Sequence, residues 1–249
     1  STSRAAGAHP LLRPIVFAPG VPAEMFYPED AFPWVAELKA RAAEIREELL
    51  CQARGEGFFT YIIPEMMGKG EDKYHHWRTL MFVTPNGKRI QENIERCPKT
   101  WAALSAVPGF VPSSMTMFSS LDPGATIRSH VGLTNLVLRC HLPLVVPEPS
   151  KSVIRVGDQV RTWSEGEVLI FSDAYDHQVW NFGESTRAVL FFDIWNPALS
   201  EEDLRALRPR WEQYVGAFGP MAAEYEKRAK VAMEEEKDAD WFVRQTSPL

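Results

Sequence analysis

The sequence predicts a mainly β protein with flanking helices. Three features point to it. From residue 57 to residue 196, aromatic and β-branched residues come in short runs. Turn-forming tripeptides separate the runs: Pro85-Asn86-Gly87, Asp122-Pro123-Gly124, Val156-Gly157-Asp158 and Glu165-Gly166-Glu167. On either side of this region, apolar residues recur at helical spacing instead. Short strands at such a rhythm make a β sandwich or barrel. The expected organisation is one domain: an N-terminal arm and helix packing on the barrel (1–56), the β core (57–197) and C-terminal helices (198–249).

Residues 1 to about 30 are rich in Pro, Gly and Ala and read as an extended arm. A helix is expected from Trp34 to about Gln52, because Val35, Leu38, Ala42, Ile45 and Leu49 share one face while Glu37, Lys39, Arg41 and Glu44 occupy the other. A short helical insert is expected over Ile90–Leu104. After Asn196-Pro197 the pattern turns helical again. Ser200-Glu201-Glu202-Asp203 has the form of a capping box, and helices are expected at about 201–216 and 220–238. Amphipathic helices usually cover a core, which places these two on the barrel. The alternative is an oligomer contact.

The chain has 249 residues, 45% hydrophobic and 24% charged, which is ordinary for a globular protein. A net charge of −6 gives no reason to expect nucleic acid as a partner. No apolar run approaches the roughly 18 residues a membrane helix needs, so no membrane partner is expected. The three cysteines, Cys51, Cys97 and Cys140, are scattered and form no CxxC pair. That argues against a disulfide scaffold or a thiolate zinc site, and a reducing cytoplasm is the simplest home.

Strand side chains alternate between two faces. In Asn135–Leu142, one face carries Leu136, Leu138, Cys140 and Leu142, and the other Val137, Arg139 and His141. In Thr186–Trp195, one face carries Ala188, Leu190, Phe192 and Ile194, and the other Arg187, Val189, Phe191 and Asp193. Each strand puts an arginine on its less apolar face. If that face lines the barrel, two guanidiniums sit in a semi-enclosed cavity. A dianionic ligand would then suit them, since guanidinium matches carboxylate geometry. Otherwise they face solvent or pair with acids such as Asp193.

His130 follows the Asp122-Pro123-Gly124 turn and is expected near a strand start. His177 follows the run Val168–Phe171 and is expected in a loop entering the next strand. Imidazole is a good ligand for Fe(II), though zinc would also accept it. Iron sites of the facial-triad type carry a carboxylate beside two histidines. Two residues after His130, where it is usually found, stands Gly132.

These residues resemble the aspartyl/asparaginyl β-hydroxylases, a branch of the Fe(II)/2-oxoglutarate oxygenases. The resemblance runs from about Trp77 to Pro197. Its pieces are Asp122-Pro-Gly124, His130-Val-Gly132, Thr134-Asn135, Arg139-Cys-His141-Leu, Thr162-Trp-Ser-Glu-Gly166, Phe171-Ser-Asp173, His177-Gln-Val-Trp180, Arg187 and Asp193-Ile-Trp-Asn-Pro197. It implies a double-stranded β-helix, the cupin-like jelly roll. It implies that His130 and His177 ligate iron, with a glycine at residue 132 and water in place of the carboxylate. Asp173 matches an acidic position that holds this water; a loop-capping aspartate is the alternative. Arg187 and Ser119 match residues binding the distal carboxylate of 2-oxoglutarate, and Arg139 and His141 match those at its C1 end. Trp77 matches an aromatic residue beside the cosubstrate after a one-residue shift, and reads equally well as a core tryptophan. His75 and His76 match no role and read as rim residues. Family members acting on aspartyl side chains carry an arginine where this chain has Val137, which weakens the case for an aspartyl substrate.

The implied reaction consumes 2-oxoglutarate and O2, releases succinate and CO2, and hydroxylates an unactivated C–H bond of a small molecule, an amino-acid derivative or a peptide. No side chain beyond the metal centre is expected to act as a catalyst. The same iron centre could instead halogenate, desaturate or close a ring. Product mass separates these outcomes: about +16 for hydroxylation, about −2 for desaturation and about +34 for chlorination. A non-catalytic jelly-roll binding module is the third reading. The arm, the first helix, the 57–76 segment and the Pro147–Ile154 loop are expected to build the substrate pocket.

Overall fold

A computed structural model describes residues 11, 12, 14, 17–54, 59–60 and 77–216. His75 and His76, most of the 57–76 segment and the expected helix at 220–238 lie outside them. In chain order the elements are β1 (Phe26–Tyr27), α1 (Trp34–Ala40), α2 (Ala42–Ala53), β2 (Phe59–Thr60), β3 (Trp77–Val83), α3 (Gln91–Arg96) and α4 (Pro98–Ala106). The strands β4 (Thr116–Leu121), β5 (Thr126–His130), β6 (Val137–Val145), β7 (Ser152–Val156) and β8 (Gln159–Thr162) follow. Then come β9 (Leu169–Phe171), β10 (His177–Asn181), β11 (Arg187–Trp195) and α5 (Glu201–Gly216).

Two antiparallel sheets face one another. The larger has the order β1-β9-β6-β11-β4-β3-β2 and the smaller β5-β10-β7-β8. From β4 to β11 the chain crosses between sheets at every connection except β7 to β8. That winding is the double-stranded β-helix, or jelly roll, that the resemblance implies. The β4–β5 corner turns at Gly124, whose φ of 73° suits a residue without Cβ.

Alternation on β6 and β11 sorts the two faces of the large sheet as the sequence reading has it. Leu138, Cys140, Leu142, Leu190, Phe192 and Ile194 pack outward against Val35, Leu38, Ile45, Leu49 and Leu104 of the helices. Val189 and Phe191 face inward, with Met117 and Trp77, toward Ile127, Ile154 and Val179 of the small sheet.

The expected helix from Trp34 breaks in two at Arg41 (φ −94°, ψ −1°). The break leaves its apolar stripe in one cluster. The 90–104 insert also divides, because Pro98 offers no amide hydrogen to a continuing helix but suits the first turn of a new one. At α5 the capping box forms: the Ser200 amide donates to Asp203 Oδ2 at 2.9 Å, and the Asp203 amide donates to Ser200 Oγ at 3.1 Å. Among the described residues no helix is long and apolar enough to cross a membrane.

Candidate active site

Between the sheets lies a cavity of about 270 Å³. All eight residues singled out from the sequence line it: Trp77, Ser119, His130, Arg139, His141, Asp173, His177 and Arg187. His130 is the last residue of β5 rather than near its start, and His177 opens β10 rather than lying in the preceding loop. The reason is the corner at Gly124, which lets β5 begin at Thr126 and run its length before reaching His130. The two histidines are direct partners in the antiparallel register, with ring centroids 4.0 Å apart.

Each imidazole is fixed by the chain just before it. His130 Nδ1 lies 2.7 Å from the Arg128 carbonyl and His177 Nδ1 lies 2.9 Å from the Tyr175 carbonyl. A carbonyl only accepts, so both Nδ1 atoms carry the hydrogen and both Nε2 atoms keep a lone pair. Burial favours the neutral rings, pulling the pKa of His130 down to about 4 and that of His177 well below its ordinary value. Two neutral imidazoles with directed lone pairs suit a divalent metal. Among the described residues no group of three His, Cys, Asp or Glu side chains is placed to hold one.

Gly132 accounts for the missing third side chain. A Cβ there would lie 2.1 Å from Asp173 Oδ2. The Gly132 amide donates to the Asp173 carbonyl at 2.6 Å, binding the two loops together. Asp173 is buried. Its Oδ2 accepts from Arg139 Nη1 at 2.8 Å, while its Oδ1 has no partner among the described residues.

The two arginines differ sharply. Arg139 donates through Nε and Nη2 to the two oxygens of Asp193 at 3.0 and 3.1 Å, and Ser114 Oγ donates to the same carboxylate at 2.6 Å. Its guanidinium also lies 4.2 Å over the Phe191 ring. Pairing with Asp193, one of the arrangements open from sequence, is thus present together with a place in the cavity. Arg187 is 2% exposed, forms no ion pair in the described structure, and lies 4.4 Å over the Trp163 ring with its Nε unsatisfied. Burial alone lowers its pKa. His141 is equally short of partners: both ring nitrogens are buried without a hydrogen bond, among Trp163, Phe171 and Phe191. Trp77 serves as core and lining together, its Nε1 donating to Ser119 Oγ at 2.9 Å.

Of the expected substrate-pocket segments, the first helix and the Pro147–Ile154 loop need correction, while most of 57–76 and part of the arm lie outside the described residues. The helices α1 and α2 pack on the outer face of the large sheet, away from the cavity. No described arm residue lines it, and Ile154 is the sole contributor from 147–154. The rest of the lining includes Met115, Val131, Leu133, Val137, Trp211 and Val215. The apolar stripe on α5 is readable in the sequence. Its placement against the barrel end, beside Val111, Leu136, Val137 and Trp195, is not.

A jelly roll enclosing paired imidazoles and a guanidinium that forms no ion pair among the described residues defines a cupin-like protein. Comparison gives the family. The profile of the aspartyl/asparaginyl beta-hydroxylases matches residues 39–197, and the chain belongs to that family. It is 40% identical over 178 residues to the ornithine lipid ester-linked acyl 2-hydroxylase of Rhizobium tropici, covering 70% of this chain and 61% of that protein. It is 29% identical over 200 residues to aspartate beta-hydroxylase domain-containing protein 2 of Xenopus tropicalis (78% and 53%). With the mouse aspartyl/asparaginyl beta-hydroxylase it shares 32% over 168 residues (66% and 22%). The chain spans about half to three-fifths of the length of the first two.

Proposed function

We propose that the chain is an Fe(II)- and 2-oxoglutarate-dependent dioxygenase that hydroxylates an unactivated C–H bond of a small molecule, an amino-acid derivative or a peptide. The observation that carries this reading is Arg187, a buried cation with no acid paired to it among the described residues, in the same cavity as two imidazoles whose Nε2 atoms meet no hydrogen-bond partner among those residues. An unpaired buried charge costs several kcal/mol, and a carboxylate ligand removes that cost. The Rhizobium tropici relative is named for an acyl group of a lipid, so an acyl chain belongs among the candidate substrates.

His130 and His177 would hold the iron through Nε2, each ring fixed by its Nδ1 hydrogen bond. Iron supplies the O2 chemistry that a protein side chain cannot. Arg187 and Ser119 would grip the distal carboxylate of 2-oxoglutarate. His141 would meet the C1 end, with its buried nitrogens in need of a partner. Three of the five guanidinium N–H groups of Arg139 already point at Asp193 and Asp173. Those left on its Nη atoms would serve the C1 carboxylate. Asp173 would orient water through its free Oδ1. Its negative charge beside Gly132 disfavours a halide there, which favours hydroxylation over halogenation.

Iron-loaded protein given 2-oxoglutarate should release succinate, and His177→Ala should abolish that release. Succinate formed at an unchanged rate by the variant would overturn the reading. With substrate present, the product should gain about 16 mass units, as expected for one inserted oxygen.

A further inference from the structure

The family match ends at residue 197, yet part of the cavity wall comes from α5, beyond that boundary. Trp211 and Val215 stand four residues apart on this helix and so share a face. They pack in one cluster with Val137 of β6, Val111, Leu136 and Trp195. Trp211 is 6% exposed and Val137 3%, and the Trp195 ring meets Trp211 edge-on at 5.4 Å. The Pro85–Gly87 turn closes on the same helix: a Cβ at Gly87 would lie 3.2 Å from a methyl of Val215.

The charged residues of the cavity are already engaged or assigned. Arg139 pairs with both Asp173 and Asp193. Arg187 is taken by the cosubstrate in the function proposed above. Around α5 the lining is Pro85, Met115, Leu133, Val137, Trp211 and Val215, none of them charged; the one polar group among them is the buried Trp211 Nε1, a neutral donor with no partner among the described residues. A carboxylate placed there would be desolvated against a single neutral donor, and an ammonium against no acceptor in this lining, so either charge is disfavoured relative to a neutral segment.

We propose that Trp211, with Val137 and Val215, forms the specificity-determining subsite, and that it takes an uncharged hydrocarbon segment of the substrate. This rests on the dioxygenase reading for the identity of the site, though not for its apolar character. Placing Trp211 and Val215 of this wall on an element outside the family match lets substrate choice vary while the metal and cosubstrate residues stay fixed on the barrel strands.

The test is a chain-length series. Neutral primary alkanamides of about four to about ten carbons are titrated calorimetrically into the protein alone, and again with Mn(II) and 2-oxoglutarate. Affinity should rise about threefold to fourfold per added CH2, the usual gain for burying a methylene. Trp211→Ala should flatten that dependence, and Val137→Arg should flatten it by introducing a cation. Both variants should keep the wild-type thermal shift with 2-oxoglutarate, which shows that the barrel is intact. If Val137→Arg does not fold, Trp211→Ala alone decides. Affinity independent of chain length in the wild type, no alkanamide binding, or an unchanged slope in Trp211→Ala would overturn the proposal. Failure of 2-oxoglutarate to bind would instead sink the dioxygenase reading, and the slope on the protein alone would still judge this one.

Discussion

Gly132 and Asp173 occupy one space: a Cβ on the glycine would lie between 2.1 and 2.4 Å from all three atoms of the aspartate carboxyl group. The carboxylate therefore reaches this corner of the cavity from the loop before β10 instead of from the strand-end segment after His130. It is held there by Arg139, which Asp193 holds in turn.

Substitution at residue 132 should accordingly be disruptive. Gly132→Ala forces a buried, ion-paired side chain to move, and overpacking of this kind typically costs about 1–3 kcal/mol. Gly132→Asp should cost more, since it adds a second carboxylate beside the first. Urea denaturation of both variants checks the order. An aspartate variant as stable as the alanine one would contradict it.

Arg139 should be a keystone of stability. Replacing it by methionine leaves Asp173 and Asp193 buried together without their cation, and breaking a buried pair in this way costs about 3–5 kcal/mol. Asp173→Asn, which keeps Arg139 paired to Asp193, should cost less. Denaturation midpoints compared at one pH decide this, and a reversed order would show that the acids do not depend on the guanidinium.

One guanidinium shared by two buried carboxylates also predicts a pH effect. Burial, with Asp193 nearby, outweighs the pull of Arg139 and lifts the Asp173 pKa to about 6. A raised acid pKa means the folded chain binds this proton more tightly than the unfolded one. Its contribution to stability is therefore present at low pH and falls as pH rises through about 4 to about 6. Wild type should lose stability relative to Asp173→Asn across that window. A constant difference between the two curves would contradict the shift.

Arg187 should trade stability for binding. Methionine at this position removes an unpaired buried charge, and each kcal/mol regained raises Tm by about 2–4 °C in a domain of this size. The same variant should lose the thermal shift that 2-oxoglutarate gives the wild type, about 2.7 kcal/mol at a hundredfold excess over Kd. Thermal scans with and without the diacid measure both effects. A destabilised variant that still responds to 2-oxoglutarate would show that the guanidinium has another partner.

Much of this was legible in the sequence, because period-two alternation is a local property. Alternation assigns Arg139, His141 and Arg187 to the less apolar face of β6 and β11 and leaves open whether that face lines the barrel or meets solvent. The capping box at Ser200–Asp203 was equally local. What stayed hidden depends on the meeting of distant segments. The same alternation left open whether Arg139 met a ligand or an acid, and the cross-strand register of Asp193 with Arg139 resolves half of that choice. The covering of the cavity by Trp211 and Val215 depends on where α5 docks, which no spacing within residues 201–216 encodes. The helix break at Arg41 carries no Gly or Pro in the sequence to announce it.

Coupled binding is the most direct trial of the paired-imidazole and guanidinium site. Calorimetric titration of 2-oxoglutarate into anaerobic protein, with and without Fe(II), should show tighter binding with the metal present, since the two ligands would share one cavity. The coupling should vanish in His177→Ala, and binding itself should vanish in Arg187→Met. Equal affinity for 2-oxoglutarate in wild type, with and without metal, and in both variants would contradict it.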